Sequence, residues 1–165
     1  QIFPDCRLLD INEYLMEKGM KLESDSKTEY LYHDPCHSPM KTHNPTQVAS
    51  ALMGKNVKQS DRCCGEAGTF AVSRPDVATQ VRYRKQEELQ KGIQGFTGNN
   101  TAVNNNVKML TSCPACLQGL SRYKNETGLE TNYIVIELAN AMMGKDWQDK
   151  FVTRVKHGGI ARVFL

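Results

Sequence analysis

The sequence predicts an α/β fold: a parallel sheet of about four strands flanked by helices, with cysteines in the loops at the strand carboxyl ends. Three observations lead there. Short apolar runs alternate with longer amphipathic stretches along the chain. The amphipathic stretches carry start and stop residues at their ends. The length, 165 residues, suits one ordinary domain with a real core. Strands that alternate with helices build a parallel sheet covered on its faces, because each crossover must carry the chain back before the next strand starts.

The elements follow in order. "LLDINEYLMEKGM" places Leu8, Leu9, Ile11 and Leu15 at helical spacing, with Asp10 as cap and Gly19 as stop. "TEYLYHD", Thr28 to Asp34, reads as a short strand ended by Pro35. "PTQVASALMG" reads as a helix capped by Asn44, with Pro45 in its first turn and Gly54 just past its end. "KNVKQSD" holds a short second strand. "SRPDVATQVRYRKQEELQKGI" is the strongest helix, capped by Ser73 and ended by Gly92, its charges forming a solvated face. "GFTGNNTAVNNN" is Gly/Asn-rich and reads as a surface loop. "VKMLTSC" is a buried strand, and "PACLQGLSRYK" starts a helix directly at its end. "YIVIELANAMMG" reads as a helix after a short extended start. "DWQDKFVTRVKHGG" is a helix from Asp146 to Gly158, and "IARVFL" a terminal strand.

Composition narrows the function. Hydrophobic residues make up 39% and charged residues 24%, which rules out a wholly disordered or collagen-like chain. The net charge of +3 is spread among both signs, with no basic stripe, so nucleic acid is not an expected partner. No apolar run approaches the roughly 20 residues of a membrane helix, and no signal peptide opens the chain. A cytoplasmic location is expected. The start, "QIFPDCRLLD", lacks Met and reads as the interior of a longer protein, so the chain is expected to be one carboxyl-terminal domain, residues 1–165.

The six cysteines carry most of the chemical information: Cys6, Cys36, Cys63, Cys64, Cys113 and Cys116. A domain this large does not need disulfide staples, and clustered cysteines without secretion signals point to metal or redox chemistry. Cys36 follows the first strand, Cys63 and Cys64 the second, and Cys113 ends the third with Cys116 opening the next helix. In an open α/β sheet ligands sit beyond the strand carboxyl ends, so a parallel sheet brings these five thiols to one edge. Converging thiolates repel, and a cation offsets the repulsion. Soft thiolates favour zinc or an iron–sulfur cluster. Zinc takes four ligands, so five thiols exceed its need, and vicinal Cys63 and Cys64 could serve different irons. Gly65 and Gly68 allow backbone amides close to sulfur. His33 and His37 flank Cys36 as hydrogen-bond partners or proton carriers.

"HDPCH", "DRCCG" and "TSCPAC" together resemble the cysteine-rich CCG domain, seen in heterodisulfide reductase and in the iron–sulfur subunit of glycolate oxidase. The resemblance runs from about Tyr30 to Met143. It implies that Cys36, Cys63, Cys64, Cys113 and Cys116 are ligands of an iron–sulfur cluster, noncubane or ordinary [4Fe–4S], with zinc as the alternative. It also implies a redox module in a parent chain with a FAD-linked oxidase and ferredoxin-like domains. There the module would relay electrons from flavin during oxidation of a 2-hydroxy acid such as D-lactate or glycolate. The gap before the doubled cysteine is short for the family and the gap after it long, and the chain carries one CCG motif where many members carry two. A thiol–disulfide enzyme built on Cys113-Pro114-Ala115-Cys116 is a further alternative, although it leaves Cys36, Cys63 and Cys64 without a role. No GxGxxG or phosphate-loop pattern is present, so FAD belongs to the parent and not to this segment. Cys6 reads as an ordinary core or surface thiol, His43 and His157 as surface residues, Glu66 as an exposed turn residue, and Met142 and Met143 as core.

Overall fold

The computed structural model describes residues 6–23, 27–66 and 69–158. In chain order the elements are α1 (Ile11–Glu17), β1 (Glu29–His33), α2 (Pro45–Met53), β2 (Lys58–Ser60), α3 (Phe70–Ser73), α4 (Pro75–Thr97), β3 (Val107–Thr111), α5 (Pro114–Ser121), α6 (Lys124–Thr127), β4 (Glu130–Tyr133), α7 (Ile134–Met143) and α8 (Trp147–Gly158). The four strands form one sheet in the order β2-β1-β3-β4, and every pairing is parallel. Register aligns His33 with Ser60 on one side and with Thr111 on the other, so β1, β2 and β3 end level.

Alternation along each strand divides the core in two. Tyr30, Tyr32 and Leu110 face Val48, Leu52 and Met53 of α2 and Ile134 and Leu138 of α7, with Leu15 and Met16 of α1 packed alongside. Leu31, Val107 and Met109 face Leu89 and Ile93 of α4 and Leu120 of α5. The chain leaves β1 for one edge of the sheet through α2 and returns past β1 to β3 through α4. The direction of winding therefore reverses between β1 and β3, the place in open α/β sheets where ligands bind beyond the strand carboxyl ends.

Most boundaries follow the local signals. Asp10 caps α1 in a reciprocal capping box with Glu13. Asn44 caps α2, Pro45 stands in its first turn, and Gly54 closes it in the left-handed conformation. Other expectations differ from the structure. Helix α4 begins after Arg74 and runs through Gly92 to Gly98, while Ser73 belongs to the short α3. Gly92 is a point of close packing, since a Cβ there would lie 3.1 Å from Leu31 Cδ1. The fourth strand is Glu130–Tyr133, largely ahead of the stretch expected to hold the apolar helix α7 and its extended start; the terminal strand expected at "IARVFL" lies outside the described residues and is neither supported nor contradicted. Leu8 precedes α1 and is 96% exposed, and Met142 and Met143 are 62% and 58% exposed, so none of them is core. The charges of α4 are not all on a solvated face, because Lys85 is 0% exposed among its buried residues.

Candidate metal centre

All three cysteine-bearing loops lie at the carboxyl ends of β1, β2 and β3. The loop after β1, which carries Cys36 and His37, is held at both ends. Tyr32 Oη donates to Asp34 Oδ1 at 3.2 Å and lies 3.1 Å from Ser112 Oγ, which couples the end of β1 to the residue before Cys113. Farther along, Glu13 of α1 is buried and accepts the N–H groups of Thr42 (2.7 Å), His43 (2.8 Å) and Asp10 (3.2 Å). Burial pushes the Glu13 carboxyl up, but the backbone N–H donors of His43, Thr42, Asp10 and Lys41 outweigh it, and the net shift is downward.

The loop after β2 turns sharply. Gly65 takes φ +77°, where a side chain is strained, and its N–H reaches Cys63 Sγ at 3.3 Å. Gly68 lies outside the described residues. Helix α5 packs directly on this loop through Gly119. A Cβ there would stand 2.9 Å from Glu66 Cβ and 3.2 Å from the Cys64 carbonyl oxygen. Glu66 is only half-buried and pairs with Arg122 at 2.6 Å, so it braces this contact rather than standing free in a turn. Cys113 is the residue before the first turn of α5, and Cys116 lies one turn in, facing the sheet.

Cys64 and Cys116 are both buried, with sulfurs 3.4 Å apart. Cys113 is half-buried, while Cys36 and Cys63 are exposed. The thiols are neighbours of one another: Cys63 feels Cys64 and Cys36, Cys64 feels Cys116, and Cys116 feels Cys64 and Cys113. The contact with Cys116 holds the Cys64 thiol well below the usual range against its burial, helped by His33 and the Glu66 N–H. Cys116 moves up correspondingly, driven first by Cys64 and then by burial. Burial also raises Cys63. One thiolate thus forms readily at the heart of the group and the next is opposed, which is the electrostatic problem a cation resolves.

His33 is 1% exposed at the end of β1, and one of its ring nitrogens lies with the Cys64 and Cys116 sulfurs within 4.8 Å of one another. Its Nε2 is buried with no hydrogen-bond partner among the described residues. An orphaned buried nitrogen beside converging soft sulfurs fits an occupant that is metallic or anionic. His37 is exposed, and Cys6 is an exposed thiol remote in sequence from every motif. His43 is half-exposed and meets Glu17 at 2.7 Å.

Sequence reading missed three contributors: Lys85, Glu13 and Gly119. Lys85 Nζ lies 2.5 Å from Ser60 Oγ, 2.7 Å from Glu88 Oε2 and 3.5 Å from His33 Nδ1. Its helical spacing to Ala78, Leu89 and Ile93 does put it on the apolar face of α4, and that signal was available.

The sequence model of the family described as a cysteine-rich domain, CCG, matches residues 30–121, and a second, described as a domain of unknown function, DUF3400, matches residues 121–165. The chain is 31% identical over 90 residues to the glycolate oxidase iron-sulfur subunit of Escherichia coli, a match covering 51% of this chain and 22% of that protein. It is 26% identical over 153 residues to one component of the dihydromethanophenazine:CoB–CoM heterodisulfide reductase of Methanosarcina acetivorans, covering 85% and 34%. It is 25% identical over 141 residues to an uncharacterized iron-sulfur protein of Methanocaldococcus jannaschii, covering 81% and 26%. The chain thus spans about a third or less of the length of these relatives. No solved structure matches it.

Proposed function

The chain belongs to the cysteine-rich CCG domain family, and on that premise we propose that it is an iron–sulfur electron-transfer module of a larger oxidoreductase. The observation that carries this reading is the row of five neighbouring thiols at the reversal point of a parallel sheet, with Cys64 and Cys116 3.4 Å apart at its buried centre. In this reading Cys36, Cys63, Cys64, Cys113 and Cys116 are the ligands, and Gly65 and Gly68 would allow backbone amides to donate to the sulfurs. The cluster would supply single-electron transfer. Cys64 and Cys116 anchor its buried side, while the exposed Cys36 and Cys63 leave an edge that a redox partner can approach. His33 acts from the buried side and His37 from the open side, as hydrogen-bond or proton donors.

The wider reading is that the module works in the cytoplasm beside flavin oxidase and ferredoxin-like domains of one parent chain. There it would accept electrons from FAD as a 2-hydroxy acid such as glycolate or D-lactate is oxidised. No described helix is long and apolar enough to cross a membrane. The name of one relative, a glycolate oxidase iron-sulfur subunit, supports this substrate class.

A second reading has its own observation. His33, Cys64 and Cys116 form a three-donor group that suits a structural zinc ion completed by a further thiolate. A dithiol enzyme is less well supported, since Cys116 pairs at 3.4 Å with Cys64, from another loop, rather than only with its CxxC partner.

Anaerobic reconstitution with iron and sulfide tests the proposal. The expected outcome is several irons with matching sulfide per chain, and EPR and Mössbauer spectra of a polynuclear cluster. Each of the variants Cys64→Ala and Cys116→Ala should lose most of that iron. A chain that takes up one zinc and never retains sulfide would overturn the cluster reading in favour of the structural ion.

A further inference from the structure

Beneath the thiols lies a buried polar cluster that no cysteine motif accounts for. It joins Lys85 and Glu88 of α4, Ser60 at the end of β2 and His33 at the end of β1. Proton accounting there leaves little freedom. An ammonium has three donors and no acceptor. Lys85 Nζ has three neighbours: Ser60 Oγ at 2.5 Å, Glu88 Oε2 at 2.7 Å and His33 Nδ1 at 3.5 Å. Ser60 gives its own proton to Glu88 Oε2 at 3.0 Å, so toward Lys85 it can only accept. Glu88 also accepts the Asp61 N–H at 3.2 Å, which ties the carboxylate to the loop carrying Cys63 and Cys64. All three Lys85 protons are spoken for, and His33 Nδ1 is left as an acceptor.

We propose that Lys85 is a positioning residue for the thiol site, fixing His33 as the tautomer that carries its proton on Nε2 and offers it to the Cys64 and Cys116 sulfurs. A neutral imidazole has one N–H, so a ring that accepts at Nδ1 donates at Nε2. That nitrogen is the buried one without a partner, and one His33 ring nitrogen lies within 4.8 Å of both the Cys64 and Cys116 sulfurs. Two consequences follow. Nε2–H cannot bind a metal through the same nitrogen, so His33 is a hydrogen-bond donor to the site and not a ligand. Lys85 also brings a full positive charge to the buried side of an anionic centre, with Glu88 limiting its cost.

The tautomer belongs to the chain alone; the effect on redox behaviour rests on the cluster reading above. Long-range ¹H–¹⁵N correlation of the full chain, labelled at histidine, reduced and metal-free, reads the tautomer directly. The signal lost in His33→Gln assigns the ring. The expected spectrum has His33 Nδ1 at a pyridine-type shift and Nε2 at a pyrrole-type shift, and Lys85→Met should abolish that preference. A wild-type spectrum with the proton on Nδ1 overturns the proposal even if Lys85→Met does not fold. In the iron-loaded protein Lys85→Met should lower the reduction potential and Glu88→Gln should raise it. Equal, same-direction shifts would mark a merely structural role and count against the charge effect. Failure of the wild-type chain to load iron would refute the cluster reading while the metal-free spectrum still decides the tautomer.

Discussion

On the face covered by α1, α2 and α7, the sheet meets an apolar layer of Val48, Leu52, Met53, Ile134 and Leu138. On the face covered by α4 and α5, Leu89, Ile93 and Leu120 share the interior with Cys64, Cys116, His33, Ser60 and Lys85. Each face also carries a lysine–glutamate pair, and the two pairs differ in placement and burial. Lys108 and Glu137, 2.5 Å apart, sit near the strand starts beside Tyr30 and open onto a cleft of about 750 Å³. Lys85 and Glu88 sit at the strand ends, with the ammonium wholly enclosed and bonded towards His33. One face supplies cohesion. The other gives up part of its apolar core to hold a charged network under the thiols, which low dielectric makes strong when every group is satisfied and costly when one is not. Stability and site chemistry are therefore separable by face.

The largest effect on that contrast is expected from Leu52→Ala. Leu52 is fully buried in the apolar layer, and its truncation should cost about 2–5 kcal/mol. Chemical denaturation should show this loss, while iron bound per folded chain stays unchanged. Loss of binding at full folding would show that the faces are not independent. Gly119→Val should come next, at about 1–3 kcal/mol from overpacking against Glu66 and the Cys64 carbonyl. Here iron retention should fall further than stability does, and parallel losses would place Gly119 among ordinary core positions.

Glu13→Gln should have the smallest effect, about 1 kcal/mol at neutral pH, with looser packing of the loop that carries Cys36. The sign of its pH dependence follows from the lowered carboxyl pKa. Stability from ionised Glu13 is fully present above its unfolded value, about pH 4.3, and is lost as pH falls through the lower folded value. The variant should therefore show a flatter loss of stability on acidification. An unchanged acid limb would mean that Glu13 does not anchor the loop electrostatically.

Local signals were strong at Asp10, Asn44, Pro45 and Gly54, because a cap or a stop is made by the residue itself and its immediate neighbours. They failed at Gly92, where a residue that usually ends a helix instead admits Leu31 of the sheet. They failed again at Met142 and Met143, because α7 buries only one side. Lys85 stood in plain view on the apolar stripe of α4, but the run of charges around it suggested solvent. Glu13 signalled only its part in the capping box of α1, and Gly119 carried no signal, since each also acts on a segment that only the fold brings near.

The alternation of elements is already written in the order of the amino acids, and with it the parallel sheet and the arrival of the three cysteine-bearing loops at one edge. Periodicity, caps and the chain reversal demanded by each crossover are properties of short stretches, and they suffice for that. Folding in three dimensions was needed to fix which thiols touch, which are exposed, and that His33 meets Lys85 from a helix 52 positions away in the chain. Those outcomes depend on how closely α4 and α5 approach the sheet, and that distance is set by the packing of many side chains at once.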